Sequence, residues 1–186
     1  LATSIALPGV RCVAACDLYD ERHVLANEIA DEKIRTTRRY QDLLQAKDID
    51  CLIVATPDHW HKQLVIEGVR AGKDVYCEKP MSHSVAEGAE MVRAVKATDR
   101  IVQVGSQRVS SAIFAKTKEM IAAGAIGDVS LIELTMGRND SQGAWEYPPP
   151  PGLSEQNLDW TTWLGTAPKK SFDPYAFERR RCWGAY

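Results

Sequence analysis

The stretch Gly72-Lys73-Asp74-Val75-Tyr76-Cys77-Glu78-Lys79-Pro80 joins a turn glycine to a short apolar run that ends in an acid, a base and a proline. Burying Val75 and Cys77 in a strand aims Glu78 and Lys79 at the strand's C-terminal edge. Ligands of open α/β sheets bind at that edge. Pro80 has no N–H to give to a ladder, so it stops the strand and turns the chain. Taken alone, the same residues also describe an ordinary strand end with a solvated ion pair.

The flanking sequence repeats one unit: buried-type strand, polar loop, helix. Arg11-Cys12-Val13-Ala14-Ala15-Cys16 reads as a strand ending at Asp17, and Cys51-Leu52-Ile53-Val54-Ala55 as a second ending at Thr56-Pro57-Asp58. Ile101-Val102-Gln103-Val104 is a third, ending in Gly105. Helical spacing is expected over 22–32, 40–46, 61–71, 85–97 and 113–123. Leu1 to Pro8 reads as the tail of an apolar helix, with Gly9 as its stop. Strands apolar on both faces, alternating with helices, predict an α/β chain whose parallel sheet is covered by helices.

Beyond Gly105 the character changes. A boundary is expected near Gly124 to Gly127, dividing the chain into 1–124 and 125–186. Val129 to Met136 alternates like an antiparallel strand. Gly143 to Gly152 contains four consecutive prolines and is expected to be a loop or extended arm.

Composition narrows the function classes. The 186 residues are 45% apolar and 26% charged, with a formal net charge of -2. That balance offers no electrostatic footprint for nucleic acid or an anionic membrane. No apolar run approaches the ~18 residues a spanning helix needs. The five cysteines (Cys12, Cys16, Cys51, Cys77, Cys182) lack metal-type spacing and read as small packed hydrophobes in a reducing compartment. His59 and His61 have no acid or cysteine at ligand spacing, so no metal site is expected.

Asp17, at the end of the first visible strand, is an acid where a dinucleotide-binding sheet hydrogen-bonds the adenosine ribose. Its charge disfavours a 2′-phosphate, which points to NAD over NADP; an Asp capping the following turn is the alternative. The glycine-rich phosphate loop should precede that acid by ~20 residues. Only 16 residues precede Asp17, and none forms such a loop, so the first strand with its loop is expected upstream of Leu1.

Asp17 after a strand, Ala55-Thr56-Pro57 with His61, Ala71-Gly72-Lys73-Asp74-Val75 and Glu78-Lys79-Pro80 together resemble the Gfo/Idh/MocA family, the glucose–fructose oxidoreductase and inositol dehydrogenase relatives. Val104-Gly105-Ser106-Gln107-Arg108 and the run from Asp159-Trp160 through Trp163-Leu164-Gly165 to Pro168 extend the likeness over nearly the whole chain. The resemblance implies a Rossmann-type doubly wound parallel sheet lacking its first strand, followed by the start of an α+β substrate domain. In the family's strand order, the strands ending at Asp17 and Thr56 flank that first strand. They should therefore lie about two strand spacings apart, roughly 10 Å, without pairing.

Carried over residue by residue, the resemblance implies that Asp17 binds the adenosine ribose and that Thr56, Pro57 and His61 line the cofactor. It sets Glu78 at the nicotinamide ribose, and Lys79 beside the nicotinamide as the catalytic residue facing substrate. Gln107 belongs to the same region, with Trp163 and Arg181 reaching over the cofactor. The implied activity is NAD-dependent hydride transfer to or from a sugar, polyol or sugar derivative. An NAD-dependent glycosidase using transient oxidation and a non-catalytic dinucleotide-binding module are the alternatives. The family's later glycine-rich segment and Asp/His pair are not in these residues, so the 186 residues by themselves are expected to be inactive. A bacterial cytoplasmic protein, homo-oligomeric at full length, is the implied setting, with an upstream export leader left open.

Overall fold

The computed structural model describes residues 1–135, 137, 141 and 143–186. A short helix α1 (Ala2–Ile5) leads to β1 (Ala14–Cys16), α2 (Asp20–Ala30), β2 (Arg35–Thr37), α3 (Tyr40–Gln45) and β3 (Cys51–Val54). Then come α4 (Asp58–Arg70), β4 (Asp74–Glu78), α5 (Val85–Lys96), β5 (Val102–Gly105) and α6 (Ala112–Ala122). Two short helices, α7 (Trp160–Leu164) and α8 (Pro174–Glu178), precede a 3-10 turn at Arg180–Cys182.

Among the described residues all strand pairs are parallel. β4 lies between β3 and β5, with Val54 opposite Cys77 and Glu78 opposite Gly105, so the three strands leave the sheet at nearly the same level. β1 pairs with β2 in a separate ladder, Cys16 opposite Thr37. Among the described residues β1 and β3 share no ladder, as the resemblance implies. β2 had no counterpart in the sequence reading: it is three residues long, too short for a periodicity signal, and only the β-branched Thr36 and Thr37 hint at it.

α4 starts behind Pro57, whose fixed φ suits a helix entrance, and carries Asp58 in its first turn, where an acid complements the helix dipole. It closes at Gly72, which takes φ +78°, a conformation that costs glycine nothing. α5 begins with a reciprocal cap: Ser84 Oγ accepts from the Glu87 N–H at 3.3 Å while Glu87 Oε2 accepts from the His83 N–H at 3.0 Å.

Leu64, Val65 and Val69 of α4 press on Val54, Val75 and Cys77 of the sheet, and Met91 of α5 closes the cluster. Val65 and Cys77 are fully buried, and burial of each such aliphatic side chain contributes about 1.5–3 kcal/mol. Pleating sends alternate residues to the opposite face, where Ile53 and Tyr76 remain partly exposed. Lys73 is buried at the β4 entrance because its ammonium finds two carbonyl oxygens, Ala46 at 2.6 Å and Ile49 at 2.7 Å.

The later part of the chain differs from expectation. Residues 129–135 carry the alternating pattern but form no strand and stay exposed, and among the described residues no strand pairs with them; Met136 lies outside the described residues. Residues 143–152 are turns and irregular backbone, as the prolines dictate. A second cluster gathers Leu158, Trp160, Trp163, Leu164, Ala176 and Tyr186 around Tyr19. A single antiparallel bridge, Tyr19 to Leu158, ties this segment to the start of α2: the Asp20 N–H donates to the Asn157 oxygen and the Asp159 N–H to the Leu18 oxygen, both at 3.0 Å.

Candidate active site at the strand exits

Asp17 leaves β1 as a half-buried carboxylate. Its Oδ1 accepts the Tyr19 N–H at 2.9 Å, so the turn-capping alternative holds for one oxygen. Burial pushes the Asp17 carboxyl up, opposed by the N–H bonds of Tyr19 and Leu18 and by the charges of Arg22 and His23. The Asp17 backbone is fixed on both sides. Its N–H donates to Thr37 at 3.2 Å, and Nε2 of His23 sits 2.9 Å from the Asp17 carbonyl oxygen and 3.1 Å from that of Thr37. His23 is a positioning residue the sequence reading missed; its only signal was six-residue spacing from Asp17.

At the β3 exit, Thr56 Oγ1 is buried and, among the described residues, has no hydrogen-bond partner. A buried hydroxyl without a partner is costly in an isolated fold and reasonable at a site that a polar ligand completes. Pro57 caps α4 directly behind it.

His61 is 1% exposed, which makes it one of the largest fully buried side chains. Nδ1 lies 2.7 Å from the Pro80 carbonyl oxygen and Nε2 2.9 Å from that of Thr56. The imidazole thus spans the loops that follow β3 and β4. Both ring nitrogens are engaged by backbone, so its observed part is to hold those loops together. The two-residue neighbour His59 does a different job: Nε2 meets the Trp163 carbonyl oxygen at 2.9 Å, and the Trp60 indole N–H donates to the same oxygen at 3.0 Å. Burial pushes the His59 imidazole down, with Nδ1 left unpartnered among the described residues.

β4 ends at Glu78, opposite Gly105 of β5, with Lys79 next and a cis Lys79-Pro80 peptide after it. Glu78 is half-buried and its Oε2 accepts the Lys79 N–H at 3.2 Å, while Lys79 is exposed. Gly105 has no room for a side chain: an added Cβ would stand 2.7 Å from the Tyr76 hydroxyl. Gln107 follows in an exposed turn.

Trp163 is 3% exposed and stacks on Trp160 at 4.8 Å and 11°. It belongs to the aromatic cluster that α4 anchors through His59 and Trp60. Arg181 is exposed and lies over the Trp145 ring at 5.0 Å. The strand exits therefore gather Thr56, Glu78 and the β5 turn at one level of one sheet, with His61 bracing them. Asp17 ends the neighbouring ladder, and Trp163 is linked to α4 by its backbone.

Residues 5–106 match the model of an oxidoreductase family with an NAD-binding Rossmann fold. The chain is 35% identical over 126 residues to inositol 2-dehydrogenase 1 of Saccharopolyspora erythraea, covering 67% of this chain and 37% of that protein. Among solved structures it is similar to myo-inositol 2-dehydrogenase from Lactobacillus plantarum, with TM-score 0.63 and 27% identity over 69% of this chain and 38% of the other. It is also similar to the WlbA dehydrogenase from Bordetella pertussis in complex with NADH and UDP-GlcNAcA, with TM-score 0.60 and 30% identity over 66% and 37% of the two chains. The chain spans between 29% and 37% of the length of the first curated relatives it matches. Over the span that carries Asp17, Thr56, Glu78 and Lys79, sequence, strand topology and fold agree, and the chain belongs to the Gfo/Idh/MocA oxidoreductase family.

Proposed function

We propose that the protein to which these residues belong is an NAD-dependent oxidoreductase that passes a hydride between nicotinamide and a sugar, polyol or sugar derivative. The observation that carries the reading is the levelled exit of β3, β4 and β5, which gathers Thr56, Glu78 and Lys79 where open α/β sheets take their ligands. The inositol dehydrogenases among the relatives, and the relative crystallised with NADH and a nucleotide sugar, support both the cofactor and the substrate class.

The residues fit such a cofactor. Asp17 offers a carboxylate whose second oxygen suits ribose hydroxyls, and the same charge favours NAD over NADP. The partnerless Thr56 hydroxyl and the Pro57 backbone line the cleft, and His61 holds it open from behind. Glu78 serves the nicotinamide ribose, and Gln107, Trp163 and Arg181 complete the surroundings. When bound, NAD supplies the hydride acceptor. Lys79 would take the hydroxyl proton of the carbinol as the free amine and, as the resulting ammonium, would donate to and polarise the carbonyl in the reverse direction. Residues 1–124 constitute the dinucleotide domain and 125–186 open the substrate domain; a cytoplasmic homo-oligomer is the proposed setting.

The test is nicotinamide absorbance with myo-inositol and a panel of sugars, using the protein that carries this chain. Lys79→Ala should lower kcat by about 10²–10⁴-fold with NAD affinity little changed. Unchanged turnover in that variant would remove Lys79 from the chemistry.

A further inference from the structure

Between the start of α2 and the 3-10 turn lies a cavity of about 170 Å³ whose lining, Arg181 apart, takes no part in the roles above. Three guanidinium groups line it, from Arg22, Arg180 and Arg181, together with one carboxylate, Glu178, and the aromatic side chains of Trp145 and Phe177. The wall thus carries a net charge of +2. Among the described residues neither Arg22 nor Arg180 has an ion pair, whereas Arg11, Arg35, Arg38, Arg39 and Arg100 do; Arg70, Arg93, Arg108, Arg179 and Arg181 are likewise without one. Arg181 is held over the Trp145 ring, which leaves the donors at the rim of its planar fork for a ligand.

We propose that Arg22, Arg180 and Arg181 form a subsite for a phosphate monoester. A dianion matches the net charge of the wall, and planar forks are the donors best suited to phosphate oxygens. Arg180 is the half-buried member, and burial with Arg181 and Arg22 beside it lowers its pKa despite the opposing charges of Glu178 and Asp58. A bound anion removes that like-charge conflict. The elements involved lie far apart in sequence: Arg22 is in the first turns of α2 and the other two follow α8. The ligand would therefore hold the later segment against the beginning of α2, beside the Tyr19–Leu158 bridge.

The phosphate group has two sources, a phosphorylated sugar or a nucleotide 2′-phosphate, the second of which would reverse the preference for NAD over NADP given to Asp17. The primary test is calorimetric titration of the protein that carries this chain with inorganic phosphate at low ionic strength. Saturable 1:1 binding is expected, with Arg180→Gln and Arg22→Gln each weakening it roughly tenfold. Arg22 is exposed on a helix, so that variant remains informative if Arg180→Gln unfolds. Arg11→Gln, remote and paired with Glu32, should leave binding unchanged. Non-saturable heats, or an equal loss in Arg11→Gln, would overturn the subsite.

Titrations with 2′-AMP against 5′-AMP, and with glucose 6-phosphate against glucose, identify the source by which one outbinds inorganic phosphate. If neither does, the assignment to a monoester ligand fails. None of these probes contains nicotinamide. Absence of NAD binding by the protein that carries this chain, with phosphate binding intact, would sink the dinucleotide reading and spare this one.

Discussion

Nδ1 of His61 lies 2.7 Å from the carbonyl oxygen of Pro80, nineteen residues further along the chain. Through that contact and the one to Thr56, a single buried ring sets the spacing between two loops that each carry residues of the candidate site. The Glu78-Lys79-Pro80 turn is thereby braced from inside the fold, independently of any ligand.

Replacing His61 by Ala should destabilise the chain by about 2–4 kcal/mol, because it opens a cavity and removes the ring N–H that a loop carbonyl accepts. Urea unfolding measures the loss. Hydrogen exchange should show the loops after β3 and β4 opening before the sheet. A uniform change across the sheet would contradict the bracing role.

Lys73→Met removes an ammonium that satisfies Ala46 and Ile49 at the β4 entrance while keeping most of the stem's volume. The expected cost is about 2–3 kcal/mol in urea unfolding, because two carbonyl oxygens lose a charged donor. Variants of Glu78, at the far end of the strand, should be additive with it.

Asp17→Asn separates the two parts Asp17 plays. The amide oxygen can still accept the Tyr19 N–H, but the desolvated charge is gone. Because burial raises the wild-type carboxyl, the folded state binds its proton more readily than the unfolded chain does. Its stabilising contribution is full below the unfolded carboxylate pKa and is lost as pH rises through the raised folded value. At neutral pH the Asn variant should therefore be at least as stable as wild type, with the advantage shrinking in acid. Thermal melts across pH check this, and NAD titration of the same variant should show weaker binding.

Asp20 and Arg38 form a two-pronged pair at 2.8 and 2.6 Å that fastens the start of α2 to the β2–α3 link. Both side chains are partly exposed, so Arg38→Ala should cost only about 0.5–1 kcal/mol, less at high salt. The Arg38 hydrogen bond pulls the Asp20 carboxyl down, so this contribution is present above the unfolded carboxylate pKa and fades as pH falls through the lowered value. A salt-independent loss would mean that packing, and not charge, joins them.

Gly165 takes φ +54°, and a Cβ there would meet the Trp60 ring at 3.0 Å. Gly165→Ala should cost about 1–2 kcal/mol through backbone strain and displace Trp60 from the Trp163 carbonyl. A change in tryptophan fluorescence at unchanged helix content is the expected signature.

The alternation of strand and helix, the parallel class and the ends of β1, β3, β4 and β5 could be read from the chain alone. Burial period and turn residues are local signals, written within a few positions of the element they define. The same holds for the places of Asp17, Thr56, Glu78 and Lys79 at strand ends. Tertiary structure decided the rest. β2 exists because β1 offers an edge beside it, and among the described residues no edge meets 129–135. His61 looked like a ligand-facing histidine and became a brace, since its acceptors sit on two different loops. Arg22 meets Arg180 only after folding brings α2 and the C-terminal turn to one cavity. Hydrogen bonds and charges act through space, and the distances that rule them are set by packing between segments remote in sequence.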